Sequence, residues 1–342
     1  MEYHFKNLVF EGGGVKGIAY IGALEVLDEE GILSNITRVG GTSAGAIISV
    51  LVGLGYSTKE IRDIVSNLDF RTFLDESWGL VFETERLIHQ FGWYKGDYFR
   101  QWIADLVKNK TGNSEATFKD VDDLKKERNL RDLYFIGTNL STRYEEVFSF
   151  EHTPRMCIAD AVRISMSIPL FFAAKRSDRG DVYVDGGVLD NYPVKLFDRK
   201  KYVDQYFLIP DYYEKHNDKL KQEGETISPY VFNKETLGFR LDSAKEIAVF
   251  RDQSEPPRYE IDNLFSYTWS LVETILESQQ NQHLHSDDWQ RTIYIDTLGV
   301  KTTEFDLSEE KKEALEQSGK EYTEKYLKWY NDTENGMAIN HP

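Results

Sequence analysis

The chain has 342 residues, 40% of them hydrophobic, and a formal net charge of −17. That length buries a full core as one large domain or two modest ones, and the acidic balance argues against a general nucleic-acid binder, which needs a basic face. The same charge disfavours broad adsorption to anionic membranes while leaving room for a local basic rim.

The N-terminus M-E-Y-H-F-K-N-L-V-F runs straight into a first strand at Leu8 to Phe10, with no charged n-region and apolar h-region before it. The longest apolar stretch, Ala44 to Tyr56, is glycine-broken and shorter than the ~20 residues that span a bilayer. A soluble, cytosolic (cytoplasmic) protein is the expectation. Glu11 to Gly17 is a glycine-rich turn, and from Ile18 onward Ile21, Leu24, Val26 and Leu27 follow a helical period that Gly31 stops. A second short strand runs through Val39 into Gly41, Ser43 and Gly45, after which the apolar run is helical. Strand, glycine loop, helix, strand, serine turn, helix is a βαβα beginning and predicts a mainly parallel sheet with right-handed crossovers.

Ser57 and Glu60 have capping-box spacing and open a third helix through Leu68. Residues 69–130 carry Trp78, Trp93, Tyr94 and Tyr98, read as local packing with a lipid-facing flap as the alternative, then a helix from Tyr98 to Val107 and the charged run Asp120 to Arg131. Asp132 to Thr138 and Glu145 to Phe150 alternate like paired strands. Pro154 to Met166 reads as a helix and includes the single cysteine, Cys157, read as a buried small hydrophobe. Asp181 to Val184 is a short strand that delivers Asp185, Gly186 and Gly187. Asp211 to Thr226 reads as a surface excursion, Tyr259 to Gln282 as long and amphipathic, Arg291 to Thr297 as a late strand and Ser308 to Trp329 as a terminal helix. With no repeat and no linker, one domain over residues 1–342 is the simplest outcome, its core at about 7–200 with a C-terminal extension, about 200–342, packed on it.

Three patterns bear on chemistry. Gly12 to Gly17 satisfies G-x-G-x-x-G after a strand, but the acidic residue that a dinucleotide site needs ~20 positions on is missing, because the second strand runs into the serine turn. A sharp turn explains one or two of Gly12, Gly13 and Gly14; an oxyanion hole facing Ser43 explains the run of three. G-x-S-x-G at Gly41, Ser43 and Gly45 places a serine at the head of a helix, where its hydroxyl projects into a cleft, although any Gly/Ser-rich turn can match the pattern. A base for Ser43 is not found among His4, His89, His152, His216, His283, His285 and His341, none of which sits in a glycine turn at a strand end. Asp185 does, although Asp-Gly-Gly also makes ordinary turns.

Together, E-G-G-G-V-K-G, G-T-S-A-G and V-D-G-G-V-L-D-N-Y-P-V resemble the patatin-like phospholipase family, with S-I-P-L-F-F and T-L-G-F-R-L-D at 236–242 similar to bacterial members. The close likeness covers about residues 7–55 and 137–196; residues 69–130 match no motif. The resemblance implies a three-layer α/β/α domain that cleaves acyl esters of lipids with a serine and an aspartate and no histidine. Ser43 then matches the nucleophile and Asp185 the base, Gly12, Gly13 and Gly14 match the oxyanion loop, and Lys16 takes the place of the family's basic residue; Gly17, Gly41, Gly45, Gly186 and Gly187 complete the motifs. Where some members have D-G-A this chain has D-G-G, a change beside the aspartate. No cofactor is implied and no metal for the chemistry, the sequence showing no His/Asp/Glu set at ligand spacing. The substrate class is a lipid or acyl ester met at a membrane or micelle surface, with no nucleic acid as partner. Ile168, Pro169, Leu170, Phe171 and Phe172 are candidates for an acyl-channel wall or for a plain core strand. Lys175, Arg176, Arg179, Lys195, Arg199, Lys200 and Lys201 are candidates for a phosphate rim or for a solvated face. Acyl transfer to another acceptor and a catalytically idle binding module are the alternatives to hydrolysis.

Overall fold

The computed structural model describes residues 3–73, 90–224, 227–244 and 287–332, with scattered positions between 255 and 275. Trp78, His89, His283, His285, His341 and most of the stretch Tyr259 to Gln282 lie outside the described residues. The strands, in chain order, are β1 (Asn7–Phe10), β2 (Arg38–Gly41), β3 (Gly92–Tyr94), β4 (Asp132–Asn139), β5 (Tyr144–Ser149), β6 (Leu170–Phe172), β7 (Lys175–Arg176), β8 (Val182–Asp185), β9 (Phe207–Leu208), β10 (Phe232–Asn233), β11 (Thr236–Asp242) and β12 (Thr292–Asp296). The described α-helices are α1 (Ala19–Glu29), α2 (Ala44–Gly53), α3 (Thr58–Ser66), α4 (Asp97–Thr111), α5 (Phe118–Arg128), α6 (Ile158–Ser165), α7 (Asp211–Gln222) and α8 (Glu309–Asn331).

β1 is apolar on both faces, and its side chains divide accordingly. Leu8 and Phe10 enter the larger core, while Val9 joins Tyr134, Phe197 and Tyr202 on the other side. A strand buried on both faces needs cover on both, the condition under which parallel sheets form. The sheet order is β12-β11-β1-β2-β4-β8-β7, parallel from β12 to β4, with β8 and β7 antiparallel and β5 antiparallel on the other edge of β4. This is a mainly parallel, three-layer α/β/α fold.

On the first face α1 and α8 approach closely because glycines meet backbone: a Cβ added at Gly22 would lie 1.9 Å from the Glu316 carbonyl, and one at Gly319 1.8 Å from that of Ala19. On the second face the cover is thinner, two short 3₁₀ turns at Val194–Phe197 and Lys200–Tyr202. Gly40 makes room there for Leu196, and Gly238 for Tyr192. A buried ion pair of Arg291 with Asp198 (2.5 and 2.8 Å) and Asp288 (2.7 Å) fixes this layer to β12.

Most of the expected elements form, several with different bounds. The Ser57–Glu60 capping box is complete in both directions and α3 follows it. The helix expected from Pro154 starts only at Ile158, because residues before it bridge to α5: Phe118 N donates to Met156 O at 3.2 Å and Lys119 N to Pro154 O at 2.9 Å. Cys157 is therefore the half-buried residue capping α6, not a core hydrophobe inside it. The excursion at 211–226 is largely the helix α7, held by the Tyr213 hydroxyl on Asp198 at 2.6 Å. Residues beyond 200 supply β11 and β12 to the sheet and α8 to its first face. No helix among the described residues is long and apolar enough to cross a membrane.

Candidate active site

The serine turn is a product of close backbone approach. A Cβ at Gly45 would meet the Phe10 carbonyl at 2.2 Å and one at Gly41 would meet the Gly45 carbonyl at 2.5 Å, so both flanking positions must be glycine for the chain to reverse over the end of β1. The reversal leaves Ser43 at φ 53°, ψ −122°, a region that costs a non-glycine residue of order 1–3 kcal/mol and is held by its surroundings. Its amide donates to Ser165 Oγ at 3.0 Å, and its hydroxyl faces Met166 Sδ at 3.4 Å. α2 begins at the next residue and points its N-terminal dipole end at the site.

Asp185 reaches the same place through β4. One edge of β4 is taken by β5 over Tyr134 to Asn139, so β2 and β8 must share the other edge, β2 over Asp132 to Phe135 and β8 over Gly137 to Asn139. Gly41 is opposite Phe135 and Asp185 opposite Gly137. Two residues of strand rise, ~7 Å, therefore separate the ends of the two strands that deliver Ser43 and Asp185.

The Asp185 side chain is buried, 2% exposed. Oδ1 accepts the Gly187 amide at 2.7 Å, and Oδ2 has no hydrogen-bond partner among the described residues. Burial pushes its pKa from 3.8 up to about 7, against the smaller lowering effects of the Gly187 amide and the Ser43 hydroxyl. The hydroxyl thus acts on the carboxyl while its hydrogen-bond contact is with the Met166 sulfur. Gly186 is forced by contact, since a Cβ there would sit 2.4 Å from the Ile136 carbonyl.

The glycine loop lies on the other side of Ser43: a Cβ at Gly12 would be 3.0 Å from that of Ser43, and one at Gly17 3.3 Å from that of Ala44. Its amides are unequally available. Gly12 N donates to Asn191 O at 3.0 Å and Val15 N to Thr302 O at 3.2 Å, whereas Gly13 N and Gly14 N find no acceptor among the described residues. Lys16 is buried and its ammonium turns to the Leu241 carbonyl at 3.5 Å, behind the loop.

A family model described as patatin-like phospholipase matches residues 8–198. The uncharacterized protein YqhO of Bacillus subtilis is 32% identical over 333 residues, covering 94% of this chain and 97% of that one. The chain belongs to the patatin-like phospholipase family. A probable lipid hydrolase, 463L, of Invertebrate iridescent virus 6 is 26% identical over 193 residues, covering 56% of this chain and 63% of its own length. The crystal structure of VipD from Legionella pneumophila superposes with a TM-score of 0.62 at 20% identity, over 95% of this chain and 67% of that chain, a likeness of fold. As a patatin-like protein the chain is a carboxylic ester hydrolase of the lipid-hydrolysing kind.

The remaining patatin-like features distribute as follows. The described histidines are engaged elsewhere: His4 stacks on Tyr206, His152 Nδ1 meets Ser149 Oγ at 2.8 Å, and His216 packs edge-on to Tyr230. Ile168 and Phe172 are buried, and Phe171 stands among Tyr94, Phe172 and Phe305, so the S-I-P-L-F-F stretch packs into the core and pairs with β3. The basic residues divide: Lys175 and Arg176 lie on β7, whereas Lys195 pairs with Asp288 at 3.6 Å, Lys201 with Glu151, and Arg199 lies on the Tyr230 ring at 3.2 Å. Glu115, Cys157 and Asp160 gather potential ligand atoms, but the Arg100 guanidinium bridges both carboxylates at 2.6 to 3.1 Å and stands where a cation would. Sequence reading missed the parts played by Ser165, Asn191 and the Leu241 and Thr302 carbonyls; of these, Asn191 in the D-N-Y-P run after Asp185 and Leu241 in T-L-G-F-R-L-D lie in strings that resemble the family.

Proposed function

We propose that the protein hydrolyses acyl esters of phospholipids or lysophospholipids with Ser43 as nucleophile and Asp185 as base. The observation that carries this reading is Asp185 Oδ2: a buried carboxylate oxygen with no partner among the described residues, beside a strained serine, with a pKa of about 7. A base is most effective when its pKa lies near the working pH, and an ordinary aspartate is too weak.

The Ser43 hydroxyl leaves the Met166 sulfur and gives its proton to Asp185 Oδ2 as Oγ attacks the ester carbonyl. The oxyanion that forms is stabilised by the Gly13 and Gly14 amides and the N-terminus of α2. Collapse breaks the C–O bond, and the leaving alkoxide takes the proton from Asp185. Water then gives a proton to Asp185 and attacks the acyl-Ser43 ester; the second collapse returns that proton to Ser43 Oγ and frees the fatty acid. The oxyanion role thus falls on two of the three glycines, with Gly12 and Lys16 holding the loop. Substrate arrives by transient contact with a membrane or micelle, and exposed Phe91 and Tyr98 are apolar groups suited to it. We also take residues 1–342 as one patatin-like unit, supported by the entry of β11 and β12 into the sheet.

A fluorophosphonate probe and a panel of phospholipids and p-nitrophenyl esters test the reading. Mass is expected on Ser43 in the wild type and none in Ser43→Ala, with fatty acid released only by the former. A folded wild type that neither takes the label nor releases fatty acid refutes it in favour of an idle binding module; acyl-alcohol products in excess glycerol would assign acyl transfer instead.

A further inference from the structure

The two amides assigned to the oxyanion are the only ones in their stretch left without an acceptor among the described residues, and the neighbours on both sides are tied down. Glu11 N donates to Phe239 O at 3.1 Å, Gly12 N to Asn191 O at 3.0 Å, Val15 N to Thr302 O at 3.2 Å and Lys16 N to Gly13 O at 3.2 Å. Backbone donors in a buried segment are normally all paired, so an unspent pair inside a fully spent frame needs a device that keeps it open.

That device is built on Leu241, at the end of the neighbouring strand β11. Glu11, fully buried, accepts the Leu241 amide on Oε2 at 2.7 Å, and Lys16 donates to the Leu241 carbonyl at 3.5 Å. The residues flanking the glycines therefore grip the same residue by its two adjoining peptide groups, and the Leu241 side chain fills the space where a Gly13 Cβ would lie, at 2.6 Å. From the opposite direction the Asn191 side chain donates to Gly12 O at 3.2 Å and to Glu11 Oε1 at 3.4 Å. The Tyr20 hydroxyl takes the Glu11 carbonyl at 2.8 Å. Burial pushes the Glu11 pKa up to about 7, and Arg240, paired with Asp242 at 2.7 Å, works against that rise.

We propose that Glu11 is a positioning residue for ester hydrolysis: its side chain, bracketing Leu241 with Lys16 and clipped by Asn191, holds the Gly13 and Gly14 amides aimed at the oxyanion. It touches neither Ser43 nor the reacting carbonyl and acts through the loop. The inference rests on the reading of Ser43 and Gly13–Gly14 given above. It also gives residues 241 and 302, outside the stretch that matches the family model, a part in the site.

The test is steady-state hydrolysis of a soluble p-nitrophenyl ester by the full chain, with Glu11→Gln and Asn191→Leu beside the wild type. Loss of one oxyanion donor costs ~10²–10³-fold in kcat, and loosening the loop that carries two should cost about 10- to 100-fold. KM should stay within about threefold, because neither replaced side chain touches the ester in the proposed arrangement. Phosphonylation of Ser43 by the probe should slow by the same factor. Asn191→Leu, which keeps the backbone bond from Gly12, should move kcat the same way by less, and the double variant should lose less than the product of the two singles because both act on one clip. An active wild type with kcat unchanged in both variants overturns the proposal, as does a loss that appears wholly in KM. Should Glu11→Gln not fold, the kcat and KM of Asn191→Leu decide alone. A wild type without hydrolysis refutes the dyad itself, a result distinct from either.

Discussion

Replacing Asp185 by Asn should make the protein inactive and change how its stability depends on pH. Burial raises the Asp185 pKa from 3.8 to about 7. The folded state therefore binds this proton more tightly than the unfolded chain, and the contribution to stability falls as pH rises between those two values. Each unit of difference is worth ~1.4 kcal/mol. Between about pH 5 and pH 7 the unfolded aspartate is ionised while the folded one is still largely protonated, so the wild type should lose about 2 kcal/mol relative to a variant that cannot titrate there. Asn keeps an acceptor for the Gly187 amide, which now stands 2.7 Å from Oδ1. Urea unfolding of both proteins at pH 5, 6, 7 and 8 gives the difference directly, since Glu11 and the other titrating groups are common to the pair. Activity should fall by about 10³- to 10⁴-fold, as when the partner of a catalytic base is disabled. Parallel stability curves for the two proteins over that range would refute the argument that Asp185 is held protonated by burial; a variant with near wild-type turnover would refute its role as base.

The same pKa sets the activity profile. Asp185 must be ionised to accept the Ser43 proton, so kcat/KM on a soluble ester should rise about tenfold per pH unit up to about pH 7 and level off above it; a profile flat down to pH 5 contradicts this. Ser165→Ala removes the acceptor that holds the Ser43 amide at 3.0 Å and leaves a buried donor unpaired, a cost of ~1–3 kcal/mol in thermal or urea unfolding, with kcat reduced more than KM is raised. Unchanged stability and kcat would remove Ser165 from the support of the turn.

The parts of this fold legible in the sequence are those written in local chemistry. β1 is a short apolar run, α3 is announced by Ser57 and Glu60, and the serine turn by glycines that the structure shows are required by contacts with Phe10 and Gly45. Thr236 to Asp242 stands out in the sequence only as a family-like string, although it is the strand beside β1. Its sequence alternates Leu237, Phe239 and Leu241 with Thr236, Arg240 and Asp242, the pattern of a strand with one wet face, yet every position is buried, and Arg240 and Asp242 pair in the interior at 2.7 Å. The charged stretch at 211–222 looked like solvent-facing chain because α7 buries only Tyr213 and Asn217. The state of the glycine loop was beyond reach for a different reason. Whether Gly12 N is spent depends on a carbonyl 179 residues away, and no local pattern records such a partner.

That β2 and β8 hang from one edge of β4 makes this strand a ruler. The separation of hydroxyl and carboxylate is set by two steps of a single extended rod, whatever the intervening 141 residues do, so segments spliced into or cut from that connection leave the gauge untouched as long as β4 keeps its place. Only a slip of β4 against one neighbour and not the other would alter the gauge. Such a slip of one residue would also turn Phe135 out of the core, so the interior polices the calibration of the site.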